Sequence, residues 1–265
     1  MNRYVLLGFV ILCGACTNPE SGLVPGAEAF ELTALTPLAD PCAASVDIGG
    51  DGNPEQNWIF TSAPMGETDE LFDLQTGESI EKDVLDWDHS THLIYLEQTG
   101  QGYHDVTTWT YDSFGRDLRV EDHFDGDSAY ETVQTFSAWT DAGKALASTT
   151  TQTGAMNYST SYSYDGDARL TGQVDTNDDG SQLRRRTVVY DDAAQTRTTT
   201  KVAADARENF TRVDTFKDGL RVKYVSTNGR GVVSTYEPHF DGNHVVDETF
   251  TVGGLRTVIS YKYCK

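Results

Sequence analysis

The chain has 265 residues, enough for one large domain or two small ones. A hydrophobic fraction of 38%, with 4 Trp, 13 Tyr and 11 Phe, supports a buried core and excludes a disordered chain. A formal net charge of −21 repels phosphate backbones and excludes nucleic acid as a partner, while attracting divalent cations only loosely.

"MNRYVLLGFVILCGAC" opens the chain with Arg3, an apolar run from Tyr4 to Leu12, then Gly14 and Ala15 before Cys16. The run is too short for a bilayer span of about 20 residues. Residues 1–15 therefore read as a secretory signal to be set apart from the fold. Their ending resembles a bacterial lipobox, which implies lipidation of Cys16; Cys13 stands where that pattern usually carries an aliphatic residue. The competing reading is an ordinary secreted protein cut near Ala15. Residues 16–41 hold Pro19, Pro25, Pro37 and Pro41 with little periodicity and read as a flexible tether, spanning roughly 25–30 Å. With Thr17 after the cysteine, the expected location is the bacterial envelope, at the outer rather than the inner membrane.

Cys42 begins the folded part and Cys264 nearly ends the chain. In an oxidising compartment the two are expected to pair, closing a loop of about 220 residues, for which chain entropy gives on the order of 4–5 kcal/mol. Two separate buried thiols are the alternative. Residues 42–104 form a β-rich segment in which Asn57–Thr61 and Leu93–Glu97 read as strands and Glu67–Leu74 reads as a short helix.

From residue 105 to 265 the chain repeats. "YDSFGRDL" at Tyr111, "YDGDARL" at Tyr164 and "YDDAAQT" at Tyr190 are joined by degenerate copies at Thr140, Phe216 and Phe240. One unit falls about every 25 residues, the mark of an array of supersecondary units. Each reads as a β-hairpin. Tyr158, Thr160, Tyr162 and Tyr164 share one face of a strand, with Ser159, Ser161 and Ser163 on the other, and Asp-Gly chemistry reverses the chain. The units resemble the YD-repeat (Rhs-type) family of bacterial surface and toxin-carrying proteins, on Tyr111, Asp112, Gly115 and Arg116 and on Tyr164, Asp165, Arg169 and Leu170; Ala168 stands where that pattern has glycine. The resemblance implies an all-β, antiparallel meander of hairpins. With about six units the expected form is a curved or coiled elongated sheet, too small to close into a shell.

Asp175, Asn177, Asp179 and Gly180 match the first half of a calcium loop, but Arg186 stands where the bidentate Glu belongs. They remain a calcium candidate between strands, against a plain reading as polar turns. "DIGGDGNPE" at Asp47 and "DHFDGDS" at Asp122 are similar acidic glycine loops. Arg184–Arg186 stand out on an acidic chain; as a strand, Arg185 faces opposite to its neighbours and the cluster is expected to pair with acids alongside. The six histidines lack the partners of a metal motif, and no nucleophile elbow or nucleotide loop occurs. The expectation is a lipid-anchored, non-enzymatic envelope protein with a structural or binding role, its aromatic face (Trp109, Tyr158, Tyr162, Tyr164) offered to a glycan or protein partner and also suited to core packing. The rivals are an envelope glycan hydrolase with paired carboxylates and an accessory or immunity-like partner of an Rhs system.

Overall fold

The computed structural model describes residues 42–88, 92–126, 129–155, 157–242 and 244–263. Among them the chain runs as eighteen strands: β1 (Ala43–Ile48), β2 (Gln56–Ala63), β3 (Gly66–Asp73), β4 (Ser79–Trp87), β5 (Leu93–Gly100), β6 (Tyr103–Tyr111), β7 (Asp117–Asp125), β8 (Tyr130–Trp139), β9 (Ala145–Gln152), β10 (Tyr158–Tyr164), β11 (Leu170–Asn177), β12 (Gln182–Asp191), β13 (Thr196–Ala203), β14 (Phe210–Lys217), β15 (Leu220–Asn228), β16 (Val233–Asp241), β17 (His244–Val252) and β18 (Leu255–Lys262). One short 3-10 turn, Ala206–Glu208, interrupts them. Each strand pairs antiparallel with the next, as the repeat predicts.

The open sheet expected from the sequence is corrected by one further pairing. β1 lies against β18 as well as β2, with Ala43 opposite Lys262 and Ile48 opposite Thr257, so the sheet closes into a barrel. The expectation failed because it counted only the legible repeats. Residues 42–104 are more of the same sheet, and their strands complete the circuit. Asn57–Thr61 and Leu93–Glu97 fall within β2 and β5. Glu67–Leu74, read as a helix, falls almost wholly in strand β3. Its inward Glu67, Asp69 and Leu71 alternate with Thr68 and Glu70, a period of two that outweighs the helical propensity of glutamate and leucine.

Burial follows that period around the barrel. The inward rows hold two apolar clusters. Ala44, Val46, Trp58, Phe60, Leu71, Tyr236, Phe250 and Ile259 gather on β1–β3 and β16–β18; Val120, Phe136 and Tyr162 gather with Trp109, Trp139 and Tyr164 on β6–β10. The outward rows carry Arg119, Glu121 and His123 on β7, Ser159, Ser161 and Ser163 on β10, and Glu237 and His239 on β16, all exposed. A bilayer-spanning barrel has the opposite pattern, an apolar outer band about 25 Å tall around a polar lumen. On this wall polar residues predominate, with Ile59, Ile94, Val189, Val202 and Val213 exposed among them.

The Tyr-Asp corners line one rim and share one construction. Asp112 Oδ1 accepts from the N–H of Phe114 and Arg116 (2.8 and 3.0 Å); Asp165 Oδ1 accepts from Asp167 and Arg169 (3.0 and 2.9 Å). Arg116 Nε and Arg169 Nε donate back to the second carboxylate oxygen at 2.6 and 2.8 Å. Each guanidinium then lies over the next unit's aromatic ring: Arg116 over Trp139 at 4.6 Å, Arg169 over Tyr190 at 4.4 Å. Tyr111, Tyr164, Tyr190 and Tyr263 each donate their hydroxyl to a carbonyl early in the preceding hairpin's return strand, at Leu93, Ala145, Leu170 and Val245. The corner aligned in sequence on Thr140 is Trp139–Thr140, with Thr140 Oγ1 accepting from Lys144 N–H in the aspartate's place. An additional corner precedes the recognised set: Asp88 accepts from His92, whose ring stacks on Tyr111 at 4.6 Å.

Candidate functional site

The four aromatic residues singled out as a binding face point into the barrel. Tyr162 is buried, its hydroxyl 3.1 Å from both Ser148 Oγ and Gln134 Nε2, and burial pushes that hydroxyl up to about 12. Tyr158 accepts from Arg184 Nη2 at 2.9 Å, Tyr164 donates to the Ala145 carbonyl, and Trp109 packs beside Val120 and Phe136. These residues make core contacts and present no face to a partner outside.

The calcium candidate is not assembled as a ligand set. Asp175 is fully buried and faces the lumen, paired with Arg184 and accepting from Thr160 Oγ1 (2.8 Å) and Gln173 Nε2 (3.1 Å). Asn177 donates to Ser181 Oγ and Asp179 accepts from the Ser181 N–H, which closes the turn on itself. The glycine loop after β1 brings carboxylate oxygens of Asp47, Asp51 and Glu55 within 4.8 Å of one another. Asp47 is already occupied by the N–H groups of Gly50, Asp51 and Gly52, and Glu55 by that of Ile48. His239 bonds to Asp247 and His244 stacks on Tyr263. Cys42 donates its N–H to the Lys262 carbonyl; Cys16 and Cys264 lie outside the described residues.

The arrangement the sequence did not reveal is a segregation of charge across the lumen. From β11 to β17 the buried acids have cationic or phenolic partners. Asp214, fully buried, takes Arg197 Nη2 at 2.9 Å and Arg212 Nη2 at 2.6 Å, with Arg221 Nη1 at 3.8 Å. Glu248 accepts from Tyr236 and Tyr261 at 2.8 and 3.0 Å. Arg184 and Arg186 face inward with them and Arg185 outward, as the strand period predicts.

From β3 to β7 the inward row is acidic. Glu67 and Asp69 on β3 and Glu81 and Asp83 on β4 are each only 2–3% exposed, and Asp69 stands directly opposite Asp83. The row continues through Gln98, opposite Asp83, and Asp105, opposite Gln98. Burial, aided by Glu67 and Asp83, pushes Asp69 up to about 8; burial with Asp83 pushes Glu81 up to about 7; burial alone pushes Asp83 up to about 6. Asp122, beside Asp105, is pushed up to about 7 by burial. One signal for these acids was present in sequence: Glu67–Asp69–Leu71 and Glu81–Asp83–Leu85 alternate with their neighbours at strand period.

On the outer surface a shallow groove of about 360 Å³ crosses β4 and β5 between Lys82 and Glu97. No known protein family matches the chain, and no curated protein matches it. Among solved structures it is similar to a porin-like protein from Bacteroides uniformis ATCC 8492, at 11% identity and TM-score 0.48, over 85% of this chain and 97% of that one. It is also similar to part of a TcdB2-TccC3-Cdc42 complex, at 13% identity and TM-score 0.31, over 77% of this chain and 16% of that one. Neither likeness reaches a shared fold.

Proposed function

We propose that this is a lipid-anchored protein of the bacterial envelope whose closed barrel stands in water at the end of a tether. Its role is structural or binding, toward a glycan or a protein. The largely polar outward wall supports the reading: Thr, Ser and charged residues predominate there, and apolar residues such as Ile59, Val189 and Val202 stand among them without forming the continuous band that a bilayer needs, so attachment falls to Cys16. The partner is met by the outer wall or the rims, where hydroxyls and charges are exposed, rather than by the aromatic rows. Pairing of Cys42 with Cys264 belongs to the same proposal; β1 already lies beside β18 with Cys42 at the Lys262 carbonyl.

The test compares the wild type with Cys16→Ser for palmitate labelling and for retention on membranes after a carbonate wash. The expected result is a labelled, retained wild type and an unlabelled, soluble variant. A Cys16→Ser chain that stays in washed membranes refutes the water-facing barrel. A glycan screen of the released variant then addresses the partner.

A further inference from the structure

We propose that the acidic wall of the lumen holds a hard divalent cation of the calcium class, bound between Asp69 and Asp83 with Glu67 and Glu81 flanking. The four carboxylates lie on two adjacent strands, all inward, in three successive cross-strand rows: Glu67 opposite Leu85, Asp69 opposite Asp83, Leu71 opposite Glu81. Directly opposed residues in a sheet have Cβ atoms about 5 Å apart, a separation that one cation can bridge through two carboxylates.

A second observation points to a ligand. Asp69 Oδ1 and Glu81 Oε1 are buried and accept no hydrogen bond, although both side chains are only 3% exposed. Carboxylate oxygens in that position leave a desolvation cost uncompensated. The neighbouring strands supply no cation. The inward residues of β2 are Gln56, Trp58 and Phe60; of β5, Leu96 and Gln98; of β6, Tyr103, Asp105, Thr107 and Trp109. Lys82 and Arg119, the basic residues within β2–β7, point outward. The same barrel gives Asp175 and Asp214 arginines from the same or an adjacent strand. Carbonyl and hydroxyl oxygens lie in reach as further hard ligands: Gln98 Nε2 donates to Asp83 at 3.3 Å, which leaves its amide oxygen for the ion, and the Tyr103 hydroxyl lies beside Glu81.

The experiment uses the full chain, stripped with EDTA at pH 7.5 and titrated with CaCl2 by calorimetry, with thermal melts alongside. The expected result is one ion per chain, a dissociation constant of roughly 10⁻⁶ to 10⁻³ M, and a midpoint that rises on addition of the ion. Asp69→Asn and Asp83→Asn are expected to weaken binding at least tenfold. Both remove like charge, so in EDTA they are expected to melt at or above the wild type, which shows that they fold. Asp179→Asn is expected to bind as the wild type does. The proposal is overturned by a wild type with no saturable heat and no shift in midpoint, by Asp69→Asn and Asp83→Asn binding unchanged, or by loss of binding in Asp179→Asn.

Discussion

Removing the Asp214 carboxylate tests how much the arginine side of the lumen depends on it. Asp214 is fully buried on β14, and it holds Arg197 from β13 and Arg212 from its own strand, with Arg221 beside them. Those arginine side chains are 12%, 25% and 27% exposed. Asp214→Ala leaves up to three guanidinium groups facing one another without their anion. Breaking a buried pair from one side costs about 3–5 kcal/mol. In a folded unit of this size each kcal/mol moves the midpoint by about 2–4 °C, so the expected loss is on the order of 10 °C. Arg212 keeps its stacking on Tyr224 at 4.5 Å and Arg197 on Phe216 at 5.5 Å, which limits the loss. The control is Glu121→Gln. Its partner Arg119 lies beside it on the outer wall, both nearly half exposed, and a pair so placed contributes less than about 1 kcal/mol. Circular dichroism melts of the two variants decide the matter. Equal shifts would mean that burial does not set the strength of these pairs, and the account of the lumen would fall with it.

Two further outcomes follow from the corners and the acidic wall. Ala168 sits at φ 59° where Gly115 and Gly143 occupy the same turn position at φ 76°. A left-handed non-glycine residue costs about 1–2 kcal/mol, so Ala168→Gly is expected to raise the urea midpoint, and Gly115→Ala to lower it by a similar amount. An unchanged midpoint in Ala168→Gly refutes the shared corner geometry. For pH, the acids with raised values, Asp69, Glu81, Asp83 and Asp122, keep protons in the folded chain that the unfolded chain has released. Their effect is a loss of stability as pH rises from about 4, where unfolded carboxyls ionise, to about 8. Asp165 and Asp205, held low by hydrogen bonds from Arg169 and Arg207, act in the opposite sense and only below about pH 4. In EDTA the urea midpoint is therefore expected to be higher at pH 5.5 than at pH 8.5, with the difference reduced in Asp69→Asn/Asp83→Asn. A midpoint that climbs across that range contradicts the assignment.

Much of the architecture was written locally. Strict alternation in Tyr158–Tyr164 and the Asp-Gly reversals named both the strands and their antiparallel pairing, because period two and turn chemistry are properties of a few consecutive residues. The roles inside the Tyr-Asp motif were hidden only by their distance. Asp165 caps its own turn, but Arg169 needs the ring of Tyr190 and Tyr164 needs the carbonyl of Ala145, each a strand or more away. Closure was invisible for a stronger reason. It depends on β1 meeting β18, and nothing in "AASVDI" names "LRTVISYK" as its partner. The acidic wall was lost with residues 42–104, where Glu and Leu invited a helical reading of what is strand β3.

Closure also decides what the aromatic residues mean. In an open sheet, Trp109, Tyr158, Tyr162 and Tyr164 would form a wet platform fit for stacking on a sugar. Sequence periodicity assigns them to one face and cannot say whether that face is concave or convex. Once the ends of the meander join, the face becomes the lining of a lumen, and tyrosine hydroxyls that would have met ligand meet Ser148, Arg184 and the Ala145 carbonyl instead. The serines and threonines between them become the outer wall. A barrel lined with rings and walled largely in hydroxyls gives those rings to packing within the lumen rather than to a partner outside.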